Sequence, residues 1–291
     1  MTELVDMTDA PLPVLPVREA DSHKGDFGRA LLIGGSRGMS GAIAMAGLAT
    51  LRSGAGLVTL AVPEWVQDVV ANFSPCFMTC GLSEANGQLT KTATGDLTTL
   101  EEVATAVAVG PGLGRSDFLT DVVEHLSIAQ ARPTVFDADA LFAIAERQKL
   151  LDESGGWRVL TPHPGEFERL AGNRPREAER IEAAAALARR DRKKRTVIVL
   201  KGHETVVTDG TWYSLNKTGN PGMATGGSGD VLTGVITALL CQGLQPFDAA
   251  RLGVHVHGLA GDMAALELGQ VSLIATDLID YLPQAFQSVT A

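Results

Sequence analysis

Cysteine is nearly missing from this chain of 291 residues: Cys76, Cys80 and Cys241 are its whole complement. Three scattered thiols build no disulfide framework, and no histidine pair stands beside them at zinc-ligand spacing, so they read as reduced, mostly buried residues. Long apolar runs are missing too. Nowhere do 18 apolar residues follow one another, and the first segment, MTELVDMTDAPLPVLPVREAD, begins acidic without a continuous apolar core. A membrane-spanning helix and a secretory leader are therefore not expected, and the reading is a soluble cytoplasmic protein. Positive charge is in deficit, with 24 Lys and Arg against 34 Asp and Glu, a net −10. Such a chain repels polyanions, which argues against nucleic acid as a partner. The basic run from Arg189 to Arg195 reads as the exposed end of a helix ahead of the strand-like TVIVL.

Aromatics are scarce at 5%, while hydrophobic residues at 45% and charged ones at 20% exclude a disordered or fibrous chain. The length suits two domains, or one large α/β domain. Residues 1–21 hold Pro11, Pro13 and Pro16 without sustained periodicity and read as an extended arm. From residue 22 to 291 a regular rhythm takes over, without a linker or an internal repeat, and predicts a single domain. ALLIGG, LVTLAV, AVAVG, PTVFDAD, WRVLTPH and TVIVLKG read as buried parallel strands, each paired with an Ala- and Leu-rich helical stretch. The fold class is α/β, a central mostly parallel sheet with helices on both faces and ligands at the C-terminal edge of the strands. ETVVTDGTWYSL reads as a hairpin at one edge of that sheet, turning at Asp209-Gly210. From Gly226 onward the pattern is almost wholly helical.

Glycine is plentiful, at 32 residues, and clustered. The strongest cluster is NKTGNPGMATGGSGD, residues 216–230, which runs into the apolar helix VLTGVITALLCQG. Gly226, Gly227, Ser228 and Gly229 would present backbone N–H groups at a helix N-terminus, an anion hole. Asp230, in the first turn, could take a proton from an attacking hydroxyl while those groups stabilise a transferring phosphoryl. The plainer reading is a helix start whose acid complements the dipole. The pattern is neither a P-loop nor a dinucleotide fingerprint, since no GK[ST] follows and no first strand leads into GxGxxG.

These residues resemble the ribokinase-like superfamily and, within it, the ADP- or ATP-dependent NAD(P)H-hydrate dehydratases. The resemblance runs through SHKGDFG (22–28), GGS with SGA (34–42), SGAG (53–56), VGPGLG (109–114), DADAL (137–141), TPHPGE (161–166), LKG (200–202) and TGNPGMATGGSGD (218–230). Ser228 stands where threonine is common, and Ser40 where proline is common; Ser228 keeps a hydroxyl, and Ser40 could cap the helix GAIAMAGLATL.

The resemblance implies a ribokinase-like fold and a hydro-lyase that repairs NADH or NADPH to whose ring water has added. Phosphorylation of the ring hydroxyl of the S-epimer, then loss of phosphate, would restore the cofactor, with ADP, or else ATP, as donor. Asp230 would be the catalytic base and touch the hydrate; Ala42, Gly112 and His163 would be substrate positions; Lys201, Gly202, His203, Glu204, Thr205 and Gly229 would bind the nucleotide. Close packing is the alternative reading of Ala42 and Gly112, a surface or packing role that of His163, and a strand-to-hairpin turn that of KGHET. Glu166 echoes an element that organises magnesium, in this chain through water, or else is a first-turn glutamate. Lys24 would be a phosphate contact. Asp137 and Asp139 could join the magnesium network, the hydrate site or a helix cap. His255 and His257, two apart on a helix, do not share a face and read as packing residues.

Family members often carry an epimerase domain, but only a short arm is present, so epimerase activity is not expected and a separately encoded epimerase is the expected functional partner. A homo-oligomer, commonly a tetramer, is implied as well. Two other readings stand beside the dehydratase: a kinase for a small alcohol, such as a vitamin-precursor pyrimidine or a sugar, and a non-catalytic nucleotide sensor.

Overall fold

The computed structural model describes residues 3–85, 88–90 and 92–290. The chain opens with β1 (Val5–Asp6), β2 (Arg29–Ile33), α1 (Ser40–Arg52), β3 (Leu57–Pro63), α2 (Gln67–Ala71) and β4 (Met78–Leu82). A small hairpin, β5 (Glu84–Ala85) and β6 (Gln88–Leu89), leads to α3 (Ala93–Val103), β7 (Ala106–Val109), α4 (Asp117–Ile128), β8 (Thr134–Phe136) and α5 (Asp139–Glu146). Next come β9 (Arg158–Leu160), α6 (Pro164–Ala171), α7 (Arg180–Ala188), β10 (Thr196–Leu200), β11 (Val206–Thr208) and β12 (Trp212–Leu215). Three helices close the chain: α8 (Ser228–Cys241), α9 (Pro246–Leu268) and α10 (Ala275–Thr290).

One ten-stranded sheet runs in the order β1-β12-β11-β10-β9-β8-β7-β2-β3-β4. Among the described residues of this sheet, only β11 runs antiparallel to its neighbours. Every residue of β7 and β10 is buried, as strands covered on both faces must be, and their β-branched and alanine side chains suit that place. Helices α1, α8, α9 and α10 share one core with one face of the sheet. Helices α3 to α7 share the other. From β2 the chain steps outward to β3 and β4, then returns to lay β7 on the opposite side of β2. That reversal opens a crevice at the C-terminal ends of β2 and β7, where such sheets bind ligands. Among the described residues no helix is long and apolar enough to cross a membrane.

Two details differ from the sequence expectations. The hairpin β11–β12 forms at Asp209-Gly210, where Asp209 Oδ1 accepts the N–H groups of Thr211 and Trp212 at 2.7 and 2.8 Å. It does not end the sheet, because β1 pairs in parallel with β12, Val5 opposite Trp212. The arm is therefore stitched to the sheet. Arg251 of α9, buried, donates from Nη2 to the carbonyls of Met7 and Ala10, both at 2.9 Å, and Met7, Leu12 and Leu15 pack on the core. Second, Ser40 is the first residue of α1, and the capping position is Met39, which supplies no side-chain bond.

Candidate functional site

Four strands deliver polar or small residues to the C-terminal edge: Gly110 after β7, Asp137 after β8, Thr161 after β9 and Lys201 after β10. Asp137 is their hub. Its Oδ1 accepts from Thr161 Oγ1 at 2.8 Å and from Lys201 Nζ at 2.9 Å, and its Oδ2 accepts from Thr233 Oγ1 at 2.9 Å. Thr233 lies three residues after Asp230 on α8, on the same helical face, so this bond moors the first turns of α8 to the sheet. A carboxylate only 2% exposed is tolerable because ammonium and hydroxyl donors satisfy both its oxygens.

The start of α8 is held from several sides. Gly227, at φ +97°, makes the turn into the helix, and a Cβ there would come 2.5 Å from Met45 Cε of α1, so only glycine suits both backbone and space. Ser228 Oγ donates to the carbonyl of Met223 at 2.7 Å, and the Ser228 carbonyl accepts from His257 Nε2 at 3.0 Å. Burial pushes His257 down to about 4, so the ring is neutral and carries its proton on Nε2. The Ser228 hydroxyl is thus spent inside the protein. What remains toward an anion are first-turn N–H groups, those of Gly229 and Asp230, which have no intrahelical acceptor. Gly226 has open space where a side chain would be.

Asp230 stands in that first turn. Burial, reinforced by the charge of Asp137, raises its carboxyl to about 7, against a smaller opposing pull from Lys201. Among the described residues nothing hydrogen-bonds its carboxylate. A carboxylate poised near neutrality and free of partners is suited to receive a proton.

Lys201 sits among the acids. Besides Asp137, its Nζ lies 3.9 Å from Glu166 Oε2, and a Cβ on Gly229 would come 3.1 Å from that nitrogen. Burial alone would lower the ammonium, but Asp137 and Glu166 outweigh it and the net direction is upward. Gly229 is thus small where α8 meets Lys201, and Lys201 is engaged with Asp137 rather than free. The remainder of the segment caps β10: Lys201 N–H donates to Pro162 O at 2.9 Å and Thr205 Oγ1 to Gly202 O at 3.0 Å, while His203 and Glu204 are exposed.

The other expected positions fall as follows. Gly112, at φ +61°, packs on the start of α1: a Cβ there would lie 2.6 Å from Met39 O and 3.0 Å from the Cβ of Ala42. Ala42 and Gly112 are therefore neighbours, and Met45, one turn beyond Ala42, reaches Gly227. His163 is the N-cap of α6, its Nδ1 accepting from Gly165 and Glu166 N–H at 3.0 and 3.3 Å, which leaves the proton on Nε2 of a half-exposed ring. Glu166 completes the capping box by accepting from His163 N–H at 2.8 Å. Burial raises its carboxyl, partly countered by Lys201.

Asp139 accepts from Gly114 N–H at 2.8 Å and so ties the loop after β7 to α5. Between the two aspartates, Ala138 holds φ +48°, a strained angle that the surrounding hydrogen bonds maintain. Lys24 is at the other end of the molecule. The HKGDFG loop leads into β2, and its Gly28 packs on Cys241, the last residue of α8, whereas the site lies at that helix's first turn. The expected phosphate contact from Lys24 is not made within this chain, because the 14-residue α8 separates the two ends by about 20 Å.

Two roles were not legible beforehand. His257, two residues from His255 and read as packing, holds the Ser228 carbonyl at the start of α8, and Asp137 is the hub. DADAL pointed to Asp137 without deciding its role, and nothing in LGVHVHGLAGD marked His257. Among the described residues no group of three or more His, Cys, Asp or Glu could hold a metal ion. Both Asp137 oxygens are engaged, leaving Glu166 and Asp230 near Lys201. That donor set fits a magnesium ion carried largely by phosphate oxygens and water, not a cage of protein ligands.

Residues 30–284 match the family model described as NAD(P)H-hydrate dehydratase. The chain is 47% identical over 282 residues to the bifunctional NAD(P)H-hydrate repair enzyme of Moorella thermoacetica, covering 94% of this chain and 52% of that one. It spans about half the length of several such bifunctional relatives. With the ADP-dependent (S)-NAD(P)H-hydrate dehydratase of Bacillus subtilis it shares 36% identity, covering 94% of each. The solved structure of the Bacillus subtilis ADP/ATP-dependent NAD(P)H-hydrate dehydratase, co-crystallised with ATP and Mg2+, is similar at a TM-score of 0.78 and 34% identity over 95% of both chains. A ribokinase-like superfamily protein from Enterococcus faecalis is similar at a TM-score of 0.80 and 29% identity, over 95% of this chain and 92% of that one. The layered sheet is thus the ribokinase-like fold.

Proposed function

The chain belongs to the NAD(P)H-hydrate dehydratase family, and we propose that it restores NADH and NADPH from the S-epimers of their hydrates, consuming ADP and releasing AMP and phosphate. One observation carries this reading: Asp230, raised to about 7 and without a hydrogen-bond partner, stands in the first turn of α8 beside Gly229 and Lys201. The carboxylate takes the proton of the ring hydroxyl as its oxygen attacks the terminal phosphoryl of the donor. The bond from that phosphorus to the AMP oxygen breaks, and first-turn N–H groups of α8 with Lys201 meet the developing charge. The ring nitrogen's electron pair then expels phosphate. Loss of a proton from the adjacent ring carbon restores the double bond.

Magnesium, when bound with the nucleotide, would supply charge neutralisation on the phosphates, and Glu166 would serve it through water. His163, a half-exposed ring whose Nε2 lies 3.4 Å from Glu166 Oε1, and the close-packed Ala42 and Gly112 face the hydrate in this reading; Lys201 to Thr205 and Gly229 take the nucleotide. Assembly as a tetramer and cooperation with an epimerase belong to the same reading and rest on the family resemblance; residence in the cytoplasm is part of the same proposal.

The test mixes purified protein, hydrated NADH and magnesium with ADP or ATP in separate cuvettes and follows the near-ultraviolet absorbance of reduced nicotinamide. Recovery with ADP, accompanied by AMP and phosphate, is the expected result. Folded protein that recovers nothing with either nucleotide, yet phosphorylates a small alcohol in a substrate screen, would replace this reading with the kinase.

A further inference from the structure

Behind the turn that follows β10 lies an arginine that the reaction scheme above does not use. Arg180 is the first residue of α7 and only 8% exposed. A cation there faces the positive end of its own helix, so the helix does not explain its presence. Its donors do. Nη1 donates to His203 O at 2.6 Å and Nη2 to Leu200 O at 3.3 Å, so one guanidinium grips the carbonyls on either side of Lys201 and Gly202. Glu177 neutralises it with an oxygen 2.6 Å from Nη1. The fit depends on Gly202, where a Cβ would stand 3.1 Å from Nη2. Glu204, next in the turn, holds φ +50°, a conformation most side chains avoid.

Helix α7 packs on the face of the sheet opposite α8. The turn is therefore held between Arg180 on one side and, through Lys201, Gly229 on the other. Without the guanidinium, the carbonyls of Leu200 and His203 lose their donor, and the turn at Glu204 is left with Thr205 Oγ1 on Gly202 O at 3.0 Å and Asn216 N–H on Thr205 O at 2.9 Å.

We propose that Arg180 is a positioning residue for the phosphoryl donor: by clamping Leu200 and His203 it keeps the Lys201–Glu204 turn in the one shape that receives the nucleotide. This rests on reading residues 201–205 as nucleotide-binding. In this role Arg180 acts through the turn it holds, so its loss acts on the nucleotide's KM and leaves the hydrate's alone.

Steady-state kinetics of R180Q and R180K, with ADP and hydrated NADH varied in turn, read the effect, while hydrogen exchange of the 201–205 amides with and without ADP checks the underlying reading. R180Q is expected to raise the ADP KM at least tenfold and to move the hydrate KM less than twofold; R180K, which keeps a donor and the charge, should recover part of the loss. If R180Q does not fold, R180K alone must show the same split at a smaller size. Equal changes in both KM values, or none, would overturn the clamp while ADP still slows exchange at 201–205. Absence of that slowing in the wild-type protein would remove the nucleotide reading of the segment, and the proposal with it.

Discussion

Lys201 and Asp137 meet at 2.9 Å across the ends of β10 and β8, with β9 between them. The pair couples residues 201–205 to α8, because the second oxygen of Asp137 holds Thr233. Replacing Lys201 by Met leaves a buried carboxylate without its counter-charge, which costs about 3 to 5 kcal/mol. It also removes a charge that holds Asp230 down. Denaturant melts should show the loss, and any residual activity should need a more alkaline pH than the parent's.

For Asp230 the expected outcome of Asn is a fall in kcat of about 10² to 10⁴, the usual worth of a general base. Calorimetric titration should find both ligands still binding. In the parent, kcat/KM should rise with pH through about 7, the position to which burial and Asp137 push this carboxyl. Stability runs the other way. The folded state keeps the proton to higher pH than the unfolded chain, so this group's stabilising contribution is present in acid and is lost as pH rises through about 7. D230N should accordingly melt later than the parent at pH 8, by on the order of 2 kcal/mol.

Gly112→Ala probes the pair at the start of α1. The new methyl would strike Met39 O and Ala42 at a backbone angle of φ +61°, costing about 1 to 3 kcal/mol. The hydrate KM should rise while the ADP KM holds. A melt shift with both KM values unchanged would reduce this contact to packing.

His257→Ala removes the donor on the Ser228 carbonyl, and lower stability by about 2 kcal/mol is expected from the lost bond and the cavity. Because burial lowers this imidazole from 6.5 to about 4, its contribution is complete above the higher value and fades as pH falls toward the lower. The variant should lack that part of the acid destabilisation, as melts between pH 7 and 4 would reveal, and should lose kcat through the displaced first turn of α8.

Arg251→Met should free the arm. Three arm carbonyls, those of Met7, Ala10 and Pro11, lose a donor, a change of about 1 to 2 kcal/mol. Limited proteolysis should then cut within residues 3–21 before the remainder of the domain opens.

Much of this architecture is legible from local pattern. Runs such as AVAV and TVIVL, bounded by turn residues, suit strands buried on both faces, and GGSGD ahead of an apolar helix suits a tight turn into its first turn. Partnership across distance is what pattern does not carry. Nothing near Lys201 in the chain tells that its ammonium belongs to Asp137, and nothing in HKGDFG tells that the loop packs against the far end of α8. The proline-bearing arm hides a strand because β1 is two residues long and owes its shape to β12, not to its own propensity. Strand β4, MTCGL, carries no marked alternation because its half-buried edge positions accept polar and small residues.

The stitching of β1 to β12 also dictates an order of events. Asp6 and Tyr213, which share a hydrogen bond, are separated by 207 positions. Contacts so distant along the chain are costly to close early in folding. During synthesis the first strand emerges with no neighbour and must wait until β12 has left the ribosome. Its docking is thus a late step, and until it is complete the edge formed by β12 stands open to pairing with a foreign strand.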